Sequence, residues 1–262
     1  MSAQICYATD LSPESEHAFA YAVALAARKK APLLTLHASD TATPNMLPEA
    51  NGLLQQWNWT QRVQNSRKVH SCCEDPVDTL LDALSREDVE LLVVGTHQRQ
   101  GLSRLAQGSV SESVALSSGL PTLFVPTQAK GFVEPATGTL RLKRVLIPCS
   151  RDAALNQLAV DKTAALIGAL TEQHQVEVHL LSVGTSPATV ELPDLPGVKW
   201  TQDRMEGKVV EAIVGMAARL KVDLVVMGTE GQDSLRDVLT GSKTHQVMRN
   251  LRQPLLALPA KA

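Results

Sequence analysis

Val89-Glu90-Leu91-Leu92-Val93-Val94-Gly95-Thr96 returns 133 residues later as Val222-Asp223-Leu224-Val225-Val226-Met227-Gly228-Thr229. In each stretch an apolar run ends on glycine, the pattern of a parallel strand buried on both faces that gives way to a turn. The same offset carries Gly108-Ser109 onto Gly241-Ser242, Pro121 onto Pro254 and Pro126 onto Pro259. A register held from Val89 to Pro126 marks a duplicated domain.

Working outward from these strands, each copy alternates strands with helices, which builds a parallel sheet covered on both faces. In the first copy the pattern predicts a strand over Ile5 to Ala8 and an Ala-rich helix from Pro13 to Arg28, with Ser12 as N-cap. A strand over Leu33 to Ala38, a helix around Leu53 to Arg62 and a strand near Lys68 to Cys72 follow. Asp75 caps a helix from Pro76 to about Ser85. After the Leu91 to Val94 strand, Val110 and Val114 share a helix face and Leu123 to Val125 forms a fifth strand. The second copy runs from Arg144 to Pro259, but between the strands near Val183 and Val198 only Gly, Pro, Ser and scattered polar residues occur. The second helix is therefore expected to be short or missing there. Thr127 to Leu140, with Gly131, Pro135 and Gly138, reads as the connection, giving domains at 1–128 and 141–262 with a linker at about 129–140.

The 262 residues are 44% apolar, 20% charged and 3% aromatic, which suits two domains with aliphatic cores. A net charge of -2 spread over both halves offers no basic block for nucleic acid. No signal-peptide pattern and no apolar run of membrane-span length occurs, so a cytoplasmic protein is expected. Cys6, Cys72, Cys73 and Cys149 lack CxxC spacing, and His37, His97, His179 and His245 lack HxH or HxxxH spacing, which argues against a metal site. Trp57 and Trp59, beside the second predicted helix, read as packing residues. No GxSxG turn surrounds Ser109 or Ser242, and no GxxxxGK[ST] loop supplies a phosphate lysine. Neither nucleophilic catalysis nor vigorous ATP hydrolysis is expected, although slow ATPase activity stays open.

Ligands of open parallel sheets sit beyond the carboxyl ends of the strands, where the strand order reverses. Gly228-Thr229-Glu230-Gly231, nine further residues and Gly241-Ser242 follow the repeated strand of the second copy. Glycine there admits positive φ and close approach of backbone amides to an anion, and the start of the next helix adds its own amides. That spacing resembles the nucleotide-binding signature of the universal stress protein family. The resemblance extends to Ala8-Thr9-Asp10 after the first strand, Leu36-His37 at the end of the second and the proline that introduces the last strand.

The resemblance implies an α/β fold of two tandem, open-twisted, five-stranded parallel-sheet domains of the adenine nucleotide alpha hydrolase-like kind. It also implies an intramolecular pseudo-dimer through Leu123 to Val125 and Leu255 to Leu258, and leaves room for a homodimer and a signalling partner. The implied ligand is ATP or AMP, with Mg only alongside ATP. Carried over residue by residue, the second copy would use Gly228, Gly231, Gly241 and Ser242, with Pro148 and Val183 near the base. The first would use Asp10, Ala38, Gly95, Gly108 and Ser109. Both copies depart from the pattern. Gln98 stands at the second glycine position of the first, in a loop that carries Arg99 and Arg104; Ser150 stands at the family's Asp in the second, whose loop carries Glu230, Asp233 and Asp237 against Arg236 and Lys243. A nucleotide-binding stress module and a nucleotide-free interaction scaffold are the two readings.

Overall fold

The structure, a computed structural model, describes residues 3–71, 75–96, 110–127, 129–170, 175–184, 187–229 and 243–260. Two compact units are present: unit 1 takes the described residues up to 127 together with Val133–Thr139, and unit 2 takes Ala129–Phe132 and the chain from Leu140 onward.

Unit 1 runs β1 (Gln4–Ala8), a 3-10 turn (Pro13–Ser15), α1 (Glu16–Lys29), β2 (Leu33–Ala38), α2 (Ala50–Gln56), β3 (Asn65–His70), α3 (Pro76–Ser85), β4 (Val89–Thr96), α4 (Val110–Ser117) and β5 (Thr122–Pro126). Its strands are parallel in the order β3-β2-β1-β4-β5. The central strands carry no exposed side chain: Ile5 to Ala8 and Leu92 to Val94 are buried, as the apolar runs require. Alanines let α1 lie close to the sheet, and every residue from Ala18 to Ala27 is buried.

Unit 2 runs β6 (Arg144–Cys149), α5 (Ala153–Leu170), β7 (Val176–Val183), β8 (Val198–Met205), α6 (Val209–Leu220), β9 (Leu224–Thr229), α7 (Lys243–Asn250) and β10 (Leu255–Pro259). The order β8-β7-β6-β9-β10 repeats unit 1, again in parallel. Between β7 and β8 the described residues 187–197 form no helix. Pro187, Pro193 and Pro196 deny that segment three backbone donors and hold it extended.

Three local expectations change. Ser12 does not cap a helix with its side chain; its hydroxyl donates to Asp10 Oδ1 at 2.6 Å, and one 3-10 turn precedes α1. The second helix lies earlier and is shorter than expected because Glu49 caps it, accepting from Asn51 N at 3.0 Å and Gly52 N at 2.6 Å. It ends at Gln56, after which Asn58 turns left-handed at φ 58°. The third strand likewise begins at Asn65 and closes at His70. Asp75 performs the expected cap, accepting from Val77 N at 2.7 Å.

The segment read as a connection has structure of its own. Trp57 Nε1 donates to Pro135 O at 2.9 Å and Trp59 Nε1 to Thr137 O at 3.1 Å, so both indoles pack as expected and also hold a turn. Gly138 closes that turn at φ 69°, where a Cβ would lie 2.3 Å from the Trp57 ring. Among the described residues no helix is long and apolar enough to cross a membrane.

Candidate functional site

In both units the order reverses beside the first strand, between β1 and β4 and between β6 and β9. A ligand crevice in such a sheet opens at that switch point, outside the carboxyl ends. Here the units differ. In unit 1 the β1–β4 ladder is zipped to its end, through Cys6↔Leu92 and Tyr7↔Val93 to Ala8↔Val94. In unit 2 the β6–β9 ladder consists of Val145↔Leu224 and Leu146↔Val225 and then stops. Beyond that pair stands Pro148, which has no N–H to give to a ladder, so the hydrogen bonding between β6 and β9 stops there.

The carboxyl ends of the strands in unit 2 carry the described candidates. Pro148 and Cys149 finish β6, Val183 finishes β7 two residues beyond Leu181, the partner of Pro148, and Gly228 and Thr229 finish β9. Ser150 follows β6 and is fixed by α5. Asn156, buried on the apolar face of that helix, accepts from Ser150 N at 2.8 Å and donates to Ser150 O at 3.0 Å. Asp152 caps α5, accepting from Ala154 N at 2.8 Å and Leu155 N at 3.2 Å. With the Ser150 hydroxyl bonded to the backbone of Asp152, this turn is held by polar side chains throughout.

Unit 1 closes its corresponding turn differently. Asp10 accepts from Ser12 N, Thr9 Oγ1 accepts from Leu11 N at 3.0 Å, and Leu11 is thereby held left-handed at φ 61°. Beneath it Tyr7 Oη donates to Ser15 O at 2.8 Å, and Thr9 and Ser15 exchange a hydroxyl hydrogen bond at 3.0 Å. Burial above all pushes the Tyr7 phenol up to about 12. His37 Nδ1 lies 2.8 Å from Thr9 O, and since a carbonyl only accepts, the proton sits on Nδ1. That bond ties β2 across the end of β1, with Ala38 one residue further along and Gly95 on β4 opposite Val125.

The first glycine of each loop has a packing cause. A Cβ on Gly228 would lie 2.6 Å from Leu155 O and 3.0 Å from Leu155 Cβ, so the first turn of α5 occupies its place. On Gly95 it would lie 3.3 Å from Ser15 Cα. These glycines bring helix to strand, and any ligand role is additional. One residue on, the hydroxyls of Thr96 and Thr229 are buried without a hydrogen-bond partner among the described residues. Gly108, Ser109, Gly231, Gly241 and Ser242 lie outside the described residues, as does Gln98; β9 ends at Thr229 and α7 begins at Lys243.

The sequence reading missed Asn156 and Asp152. The available signal was a polar residue at the 3–4 spacing of an otherwise apolar face, with Asn156 in line with Ala159, Thr163, Ile167 and Leu170. His179 Nδ1 pairs with Asp203 Oδ2 at 2.8 Å between β7 and β8, and among the described residues no three His, Cys, Asp or Glu side chains converge on a metal position. Burial pushes the Cys149 thiol up to about 11, so it carries no thiolate at neutral pH.

A doubly repeated α/β unit whose strand order reverses beside its first strand defines a class, and comparison with known proteins specifies it. The model of the universal stress protein family matches residues 1–126 and again 133–259, and the chain belongs to that family. Universal stress protein Rv2005c of Mycobacterium tuberculosis is 25% identical over 94% of this chain and 94% of its own length. A universal stress protein from Archaeoglobus fulgidus has the same fold, with a TM-score of 0.64, 15% identity, and coverage of 97% of this chain and 96% of that one. A universal stress protein solved in complex with cAMP is 27% identical across 49% of this chain and 100% of its own, with a TM-score of 0.40.

Proposed function

We propose that this protein is a nucleotide-binding stress module whose unit 2 holds an adenine nucleotide, ATP or AMP, without consuming it. The carrying observation is that the copy whose β6–β9 hydrogen bonding stops at Leu146↔Val225 also keeps the whole spacing Gly228, Gly231, Gly241 and Ser242. Pro148 and Val183 would border the base. Phosphates would meet the amides of the glycine loop and of the start of α7, where missing side chains and the helix dipole favour an anion. Magnesium would be needed with ATP only. No group described at this mouth is a nucleophile poised by a base, so occupancy, rather than turnover, is the output.

Unit 1 fits the second reading, a scaffold without nucleotide. Its switch point is zipped through Ala8↔Val94, and Gln98 stands where the loop would need its second glycine. Asp10, Ala38, Gly95, Gly108 and Ser109 then serve the fold and surface of unit 1.

Native mass spectrometry of the chain, purified without added nucleotide and then titrated with ATP and with AMP, tests both readings. One adenine nucleotide per chain is the expected result. Two per chain would overturn the assignment of unit 1, and none at millimolar ligand would overturn that of unit 2.

A further inference from the structure

In place of a second helix, unit 2 has the extended strap 187–197, and what holds it down differs from the rest of the fold. None of its residues is buried, and Leu192 is 40% exposed. Its last residue, Gly197, accepts a backbone bond from Val176 N at 2.9 Å, while the docking of 188–193 rests on side chains. Gln157 of α5 donates from Nε2 to Glu191 O at 3.0 Å and accepts from Glu191 N at 2.8 Å, imitating one rung of a sheet. Trp200 Nε1 donates to Pro193 O at 3.2 Å, and Gln202 Nε2 reaches Ala188 O at 3.4 Å. Gly197 closes it left-handed at φ 79°, and Gly184, after β7, is left-handed at φ 65°. Segments with little apolar burial and exposed hydrogen bonds open locally at small free-energy cost.

The latch lies beside the candidate site. Gln157, which grips the strap, follows Asn156, which grips both backbone groups of Ser150 at the tip of β6. β7 ends at Val183, and the N–H of Gly184, directly after it, donates to Met205 O at 2.9 Å. One turn of α5 therefore holds the mouth with one residue and the strap with the next.

We propose that the strap is an occupancy-sensitive flap: nucleotide at the β6–β9 mouth favours the docked strap, and Gln157 is the latch that transmits the preference. This rests on the reading of unit 2 as a nucleotide site. By linkage, the factor by which nucleotide favours docking is also the factor of affinity lost when docking is abolished.

Hydrogen exchange of the full chain, followed by mass spectrometry over peptides covering 188–195, tests this with AMP and ATP as probes, on native protein and on Gln157→Ala. Without ligand, Gln157→Ala should exchange about tenfold faster in the strap while β6 and β9 keep native protection. Saturating nucleotide should slow the native strap about fivefold, leave the Gln157→Ala strap unchanged, and bind Gln157→Ala about fivefold more weakly by equilibrium dialysis. Equal strap exchange in the two proteins without ligand would overturn the latch. Nucleotide shown by dialysis to be bound, with native strap exchange unaltered, would overturn the coupling. If dialysis shows no nucleotide bound to native protein, the coupling falls together with the site reading, whereas faster exchange in Gln157→Ala would still uphold the latch.

Discussion

The switch points of unit 1 and unit 2 descend from one pattern and have been finished in opposite ways. In unit 1 the ladder runs to Ala8↔Val94, His37 ties the turn to β2, and Tyr7 and Thr9 tie it to Ser15 at the start of α1. In unit 2 the ladder ends at Leu146↔Val225, Pro148 supplies no donor, and Asn156 holds the turn from α5. Both first turns are thus anchored to the helix that follows, and unit 1 adds the His37 bond to β2 and the longer ladder to β4. The glycines add a second contrast, because Gly228 is compelled by Leu155 at 2.6 Å whereas Gly95 meets Ser15 at 3.3 Å.

The largest effect tests that second contrast. Gly228→Ala forces Cβ against the Leu155 carbonyl, whose oxygen is backbone and cannot swing aside, and should destabilise unit 2 by about 3 kcal/mol. Gly95→Ala needs a shift of a few tenths of an ångström and should cost unit 1 about 1 kcal/mol or less. Urea titrations read by amide exchange in β9 and in β4 give the two values separately, and equal losses would break the comparison. Next comes the anchor. Asn156→Ala strips both backbone groups of Ser150 of their partner and should cost about 2 kcal/mol, against about 1 kcal/mol for Ser15→Ala. The same exchange measurement decides, and a neutral Asn156→Ala would show that the turn holds itself.

The smallest effect is a pH dependence. The repeat offset places Glu112 of unit 1 and His245 of unit 2 at one position, and both side chains are buried. Burial first, and then the Arg249 charge, lower the His245 imidazole below its ordinary value. The unfolded chain therefore binds more protons than the folded one in the window just below about pH 6.5, and stability must fall as pH falls through it. Unfolding of unit 2 between pH 7.5 and pH 5.5 should show this slope, and His245→Gln should flatten it. An unchanged slope in His245→Gln would assign it to other groups.

Much of this was legible in the sequence. The Val89 to Thr96 and Val222 to Thr229 runs fixed strand type and duplication, Asp75-Pro76 announced a helix that begins where expected, and three prolines announced the missing helix of unit 2. What escaped depends on contacts distant in the chain. Asn51 pairs with both backbone groups of Val63, and that pairing, with the Glu49 cap, places α2 earlier than its apolar pattern suggests. Asn156 and Gln157 look like ordinary polar helix residues until Ser150 and Glu191 are seen against them. The two motif glycines were legible as turn residues, yet only the approach of α5 and of the turn before α1 shows why a side chain is excluded.

In the proposed function unit 2 grips a nucleotide through backbone freed of side chains beyond the ends of β6 and β9. Isothermal titration with ATP and AMP, on native protein and on Gly231→Gln, tests it most directly, since this substitution gives unit 2 the residue type that Gln98 already gives unit 1. The account predicts saturable binding at one site, weakened at least tenfold, about 1.4 kcal/mol, by Gly231→Gln. Equal affinity in the two proteins would contradict it.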